Sequence, residues 1–319
     1  MKVLANDGLA ASGIEQLESA GVEVVTQKVA QEQLANVINQ EGYTALLVRS
    51  ATTVRKELID ACPGLKFIGR GGVGMDNIDV DYARSKGLTV ANTPAASSDS
   101  VAELVFAHLA SGLRFLHDAN RNMPLEGETK FKEMKKAYAK GRELRGKTMG
   151  IIGFGRIGQS VARIAIGQGM KVVAHDPFVE NASIKLEFFD GQELNFDITT
   201  VSKEEVLKSS DFVTLHVPAQ KDGYVIGKPE MEMMKDGAVL INAARGGVVD
   251  EHALLDALDA DKLSFAGLDV FENEPKPAMR VLMNPALSLS PHIGAATVEA
   301  QARIGTEMAE AILSFRDAQ

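Results

Sequence analysis

The sequence predicts an α/β protein built from two doubly wound parallel sheets. Short β-branched or aliphatic runs alternate with amphipathic stretches along the whole chain, a pattern that covers each strand with helices on both faces. The alternation comes in two series, the second beginning near Thr148. At 319 residues the chain is also longer than one compact domain usually holds.

In the first series, residues 3–6, 22–26, 45–49, 67–69 and 89–91 read as buried strands, with helical patterns at 14–20 and 31–40 between them. A long helix over 100–116 separates the two series; Ser100 can cap its N-terminus, with Glu103 completing a capping box. The second series runs MGIIGFG, a helix over 157–168, KVVAHD, then DFVTLHV, GAVLINAA, SFAGLDV and ALSLSPH. One stretch departs from a plain doubly wound unit. IKLEFFDGQELNF, residues 184–196, places Asp190-Gly191 between two β-prone runs, the signature of a two-residue hairpin. It reads as an insertion on the edge of the second domain and as surface decoration. A last helix spans 297–315, with Thr297 as its N-cap and Ala300 or Ala302 on a tightly packed face.

Composition narrows the function classes. Hydrophobic residues at 45% and charged residues at 24% are ordinary for a globular enzyme and exclude a disordered chain. The 34 basic residues against 43 acidic ones, a net of -9, argue against nucleic-acid or anionic-membrane partners. Cys62 is the only cysteine, so no intramolecular disulfide can form and a reducing compartment fits best. The N-terminus lacks the apolar run of a signal peptide, and no later run is long enough to span a membrane. A cytoplasmic location is expected.

Gly153-Phe-Gly155-Arg-Ile-Gly158 is a G-x-G-x-x-G set between a strand at 149–152 and a helix opening at Arg156. In that context Gly153 permits a tight turn, Gly155 lets the backbone approach a pyrophosphate, and Gly158 packs helix against sheet. The helix N-terminus then offers unpaired N–H groups to the phosphates. Asp176 closes the next strand, 18 residues after Gly158, where an acid bonds both adenosine ribose hydroxyls and repels a 2′-phosphate. Its neighbours are His175 and Pro177 rather than arginines, which favours NAD over NADP.

An enzyme that uses this cofactor to oxidise an alcohol needs a base for the hydroxyl proton and a cation for an anionic substrate. Arg245, in INAARGG, follows an apolar strand, at the sheet edge where open α/β folds bind ligands. A guanidinium there can grip a carboxylate with two parallel bonds. Glu274 in FENEP and His292 in SPHIGAA also lie just beyond apolar strands. A carboxylate bonded to one imidazole nitrogen fixes the tautomer and leaves the other nitrogen as the base. The alternatives are a surface arginine, an exposed loop glutamate and a buried histidine bonded to backbone.

GFGRIG, NAARGGVVD, GLDVFENEP and PHIGAAT, with GRGGVGMDN and NTP upstream, resemble the D-isomer-specific 2-hydroxyacid dehydrogenases over nearly the whole chain. The family's catalytic Arg, Glu and His match Arg245, Glu274 and His292, spaced 29 and 18 residues apart. The resemblance implies that a Rossmann-type NAD-binding domain, 98–293, is inserted in a discontinuous, flavodoxin-like substrate domain, 1–97 plus 294–319. It implies hydride transfer from the substrate's C2, His292 taking the hydroxyl proton, Glu274 orienting it and Arg245 clamping the carboxylate. It also assigns NAD contacts to Arg156, Ile157, Val217, Ala243, Ala244, Asp269 and Gly294, with Asp269 facing the nicotinamide carboxamide. No metal is implied.

Within the family, VRSATTV and GRGGVGMDNID are most similar to the phosphoglycerate dehydrogenase branch. That implies NAD-dependent oxidation of D-3-phosphoglycerate to 3-phosphohydroxypyruvate, with Arg49, Ser50, Arg70 and Gly72 at the phosphorylated substrate. The segment 130–147 holds eight basic residues against two acidic ones. By resemblance Lys136 makes a phosphate contact across a homodimer paired through the NAD-binding domains; a solvated helical face is the alternative. Ser97 and Val73 depart from the commonest family pattern, which loosens the substrate assignment more than the reaction class. The sequence ends at Gln319, directly after the last helix, so feedback through a C-terminal regulatory module is not expected. The competing expectations are a glyoxylate or hydroxypyruvate reductase with the same triad, and a dinucleotide-sensing binding protein like the corepressors built on this fold.

Overall fold

The computed structural model describes residues 1–220 and 222–318; Gln319, the sequence end, lies outside them. In chain order the first half forms β1 (Lys2–Ala5), α1 (Ala11–Ser19), β2 (Glu23–Val25), α2 (Leu34–Glu41), β3 (Ala45–Val48), α3 (Lys56–Ala61), β4 (Phe67–Arg70), α4 (Val80–Ser85), β5 (Thr89–Asn92), α5 (Ser98–Leu113) and α6 (Leu116–Ala137). The second half continues with β6 (Thr148–Ile152), α7 (Arg156–Gly167), β7 (Lys171–His175), β8 (Asn181–Glu187), β9 (Glu193–Thr199), α8 (Lys203–Ser209), β10 (Phe212–Leu215), α9 (Lys228–Met233), β11 (Ala238–Asn242), α10 (Glu251–Asp259), β12 (Leu263–Leu268), α11 (Met279–Leu282), β13 (Leu287–Leu289) and α12 (Val298–Asp317). These elements form two compact units. Unit 1 is Met1–Ser98 with the segment from Ala295 on, and unit 2 is Asp99–Gly294. The junctions fall one residue later than the sequence boundaries. Gly294 belongs with unit 2 because its amide donates to Asp269 there.

Unit 1 is a five-stranded sheet in the order β2-β1-β3-β4-β5 with every pair parallel. Its inner strands are buried on both faces, β3 at all four positions and β1 and β4 at three of four. The winding direction reverses between β1 and β3, which opens a crevice at their carboxyl ends. Helix α12 returns to this unit and packs on α1 through glycines: a Cβ at Gly13 would stand 2.4 Å from the Gly305 carbonyl oxygen. Thr297 caps α12 by accepting from the Ala300 amide at 3.1 Å, and Ala300 is fully buried.

Unit 2 is a six-stranded parallel sheet in the order β13-β12-β11-β10-β6-β7, its reversal lying between β6 and β10. Three sequence expectations are corrected here. Helix α5 starts at Ser98 rather than Ser100 and ends at Leu113, before Phe115 takes a left-handed φ of 57°. The Ser100 hydroxyl, already inside the helix, donates to the Gly294 carbonyl at 2.6 Å instead of capping. The inserted hairpin is longer than its motif, β8 pairing with β9 from Asn181↔Thr199 to Glu187↔Glu193. Phe188 N–H donates to the Gln192 carbonyl and Gly191 has φ +85, so the loop has three residues with Gly at the left-handed position, not two. Ile184 and Leu186 bury the hairpin's inner face in the same cluster as Val161, Ala162 and Ala165 of α7.

Candidate active site

The glycine loop sits at the reversal point of unit 2. Gly153 has φ +94, and a Cβ on it would meet the His216 carbonyl oxygen at 2.4 Å. At Gly158 a Cβ would lie 2.1 Å from the Gly153 carbonyl oxygen, so helix and turn touch there backbone to backbone. Gly155, the N-cap of α7, has open space where its side chain would be. That leaves the α7 N-terminus exposed to a ligand, with its first N–H groups available to anionic oxygens. Asp176 follows β7 and ties the loop together: its carboxylate accepts from Phe154 N–H at 2.7 Å, and from Phe178 and Val179 N–H at 2.8 and 3.2 Å. Val217 follows β10 across the same reversal point. The open N-terminus, the close-packed Gly153 and Gly158, and the acid after β7 fit a dinucleotide.

The remaining residues stand along the carboxyl edge of three neighbouring strands. Ala243, Ala244 and Arg245 follow β11, Asp269 and Glu274 follow β12, and His292 and Gly294 follow β13. His292 Nδ1 lies 2.8 Å from Glu274 Oε2, while Glu274 Oε1 accepts from Phe271 N–H at 3.0 Å. Nδ1–H therefore donates to the carboxylate, which leaves Nε2 with a free lone pair on a half-exposed ring. His292 also holds a left-handed φ of 55°, unusual for a residue with a Cβ and held here by the loop around it.

That loop is held by Asp269. The buried carboxylate accepts from Ile293 N–H and Gly294 N–H, both at 2.8 Å, and from the Ser290 hydroxyl at 2.6 Å. Arg245 donates through Nη1 to the Ala244 carbonyl at 2.7 Å. Its loop is fixed by Asn242, whose side chain accepts from Ala244 N–H and donates to the Arg245 carbonyl. The loop then passes so close to the next one that a Cβ at Gly246 would stand 1.9 Å from the Phe271 carbonyl oxygen. Glu251 and Glu272 each accept the other's N–H, at 2.8 and 3.0 Å, and burial pushes the Glu251 carboxyl above its ordinary range. Asn242, Glu251 and Glu272 escaped sequence reasoning because their partners are backbone groups. Asn242 alone carried a signal, a polar residue closing the apolar strand AVLIN.

In unit 1 the structure places Arg49 just beyond β3, lining a cavity of about 220 Å³ with Asp7, Gly8, Leu47, Gly71 and Gln301 among its walls. The cavity lies at the reversal between β1 and β3. Asp7 builds its floor by accepting from Arg49 N–H at 2.7 Å, Thr52 N–H at 3.0 Å and the Thr52 hydroxyl at 2.7 Å. Asn77 clamps the same loop by donating to the Arg49 and Thr52 carbonyls. The amides bracketing Ser50 and Ala51 are thus already engaged, and Ser50 is exposed. Arg70 turns over Gly72: a Cβ there would fall 1.6 Å from the Arg70 guanidinium. Gly72 thus leaves room for that head, and Arg70 is not among the cavity walls. Lys136 is exposed in the last turn of α6, in unit 2. Gln301 and Asp7 were missed, since neither sits in a motif.

Residues 106–294 match the family model described as the D-isomer specific 2-hydroxyacid dehydrogenase, NAD binding domain. The chain is 39% identical to a hydroxypyruvate reductase of Thermotoga maritima over 295 residues, covering 91% of this chain and 90% of that protein. It is 41% identical to a D-3-phosphoglycerate dehydrogenase of Methanocaldococcus jannaschii over 319 residues, covering 98% of this chain but 57% of that longer protein. Among solved structures, a glyoxylate reductase of Paecilomyes thermophila superposes with a TM-score of 0.79 at 31% identity, over 98% of this chain and 94% of that one. No helix among the described residues is long and apolar enough to cross a membrane. With the NAD-binding model matched over more than half its length, this chain belongs to the D-isomer-specific 2-hydroxyacid dehydrogenase family and is an NAD-dependent dehydrogenase.

Proposed function

We propose that the protein oxidises D-3-phosphoglycerate to 3-phosphohydroxypyruvate, the opening step of L-serine synthesis. Bound NAD supplies the hydride acceptor for the substrate's C2. The bare Nε2 of His292 takes the C2 hydroxyl proton, while Glu274, bonded at 2.8 Å, holds the ring and stabilises its protonated form. Arg245 pairs with the C1 carboxylate. Arg49 and Arg70 are the cations for the phosphate, which needs charge-assisted donors in compensation for lost water. Gly153, Gly155, Arg156, Ile157, Gly158, Val217, Ala243, Ala244 and Gly294 contact NAD, Asp176 takes the adenosine ribose, and Asp269 meets the carboxamide. The functional form is a cytoplasmic homodimer paired through unit 2, with Lys136 as a further phosphate contact.

The observation that carries the choice of a phosphorylated substrate is Arg49 on the wall of the unit 1 cavity. A second reading, hydroxypyruvate reduction, is favoured by Arg70 turning over Gly72 outside that wall and by the reductase relative matched over 90% of its length. NADH oxidation with 3-phosphohydroxypyruvate, hydroxypyruvate, glyoxylate and pyruvate at matched concentrations separates them. The proposal expects a kcat/KM preference of about 100-fold for the phosphorylated acid, about 3 kcal/mol of transition-state binding. Equal or better rates with hydroxypyruvate or glyoxylate would move the protein to the reductase branch. No turnover of any of the four would overturn both readings.

A further inference from the structure

Helix α5 carries a buried imidazole that the reaction above does not use. His108 is 4% exposed, with Nδ1 2.8 Å from the Ser288 hydroxyl and Nε2 2.8 Å from the Ser290 hydroxyl. Room for it is made by Gly267 on β12, where a Cβ would stand 2.8 Å from the His108 Cβ. Ser290 in turn donates to Asp269 at 2.6 Å. A hydroxyl has one proton, so with that proton on the carboxylate, Ser290 can only accept from His108. Nε2 therefore carries the hydrogen, and Nδ1 accepts from Ser288. Burial lowers the imidazole's pKa, which keeps this single-hydrogen form at neutral pH.

We propose that His108 is a positioning residue for the reaction. It drives a one-way chain, His108 Nε2–H to Ser290 O–H to Asp269, that fixes the carboxylate holding the His292 loop. Asp269 bonds both Ile293 and Gly294 amides. The same helix holds the loop's far end through Ser100 and the Gly294 carbonyl. The base is thus bracketed: Ser290 two residues before it answers to His108, and Gly294 two residues after it answers to Ser100. This inference rests on the reading that His292 is the base.

The test is steady-state NADH oxidation by His108→Phe, His108→Gln and Ser290→Ala, with His292→Asn as control and 3-phosphohydroxypyruvate and hydroxypyruvate as oxidants. His108→Phe should lose about tenfold in kcat with KM for the oxo acid within twofold. His108→Gln should recover most of it, because its amide keeps a donor for Ser290 and an acceptor for Ser288. If His108→Phe does not fold, Ser290→Ala, which deletes one oxygen, must show the same kcat loss. Folded variants with kcat within twofold of wild type would overturn the proposal, as would a kcat loss that glutamine fails to rescue. The underlying reading fails separately: His292→Asn would then keep its rate.

Discussion

The candidate sites of the two units are built from different kinds of structure. In unit 2, loop residues at the carboxyl edge are held by side chains acting on backbone: the buried Asp269 on Ile293 and Gly294, the buried Asn242 on Ala244 and Arg245, and the half-buried Asp176 on Phe154. In unit 1, Asp7 and Asn77 fix the loop, and Arg49 is the one cationic residue among the described residues lining the cavity. A backbone-fixed edge keeps a base and its partner within hydrogen-bond geometry whatever substrate arrives. A cavity lined by a few side chains can change preference by single substitutions. On the proposed function, reaction class rests on unit 2 and substrate choice on unit 1.

The largest effect that could break this division is at the proposed base. His292→Asn should lower kcat by about 10³-fold, the usual scale for removing a general acid–base, while NADH affinity measured by fluorescence stays within threefold. Glu274→Gln should cost about 10- to 100-fold in kcat, because an amide no longer stabilises the protonated ring; a full rate would detach the 2.8 Å contact from the chemistry. Gly158→Ala pushes a methyl to 2.1 Å from the Gly153 carbonyl and should destabilise unit 2 by about 1–3 kcal/mol, read as a lower Tm and weaker NADH binding. Asp176→Ala should narrow the NAD over NADP preference about tenfold or more, and unchanged selectivity would remove the acid from the ribose.

A smaller effect is set by pH. Burial pushes His216 down to about 3 and also lowers His108. Both fall below the ordinary imidazole value of 6.5, so just below that pH the unfolded chain binds more protons than the folded one. Their contribution to stability is complete above pH about 6.5 and is lost as pH falls below it, for His216 down to about 3. Tm should therefore drop between pH 7 and 5, before most carboxylates titrate. A flat Tm across that window would contradict the buried neutral rings.

Much of unit 2 could be read in the chain because its constraints are local. Gly153, Gly155 and Gly158 are spaced by the turn itself, and Arg245, Glu274 and His292 each follow an apolar strand closely enough to be placed at a sheet edge. What stayed hidden depends on distant partners. His108 meets Ser288 and Ser290 across 180 and 182 residues, and Gln301 reaches the unit 1 cavity only because α12 returns there. The helix start at Ser98 was misplaced because Ser100 satisfied a local capping pattern, while in the fold its hydroxyl had a stronger use on Gly294. The hairpin loop was misjudged for a related reason: Asp190-Gly191 signals a turn but does not by itself count its residues.

The separation of chemistry from choice is tested most directly by kcat/KM for 3-phosphohydroxypyruvate and hydroxypyruvate in the wild type and in Arg49→Ala. The account predicts a loss of about 100-fold for the phosphorylated acid and less than fivefold for the other. Equal losses for both would show that Arg49 serves the reaction itself, and the division between the two units would be wrong.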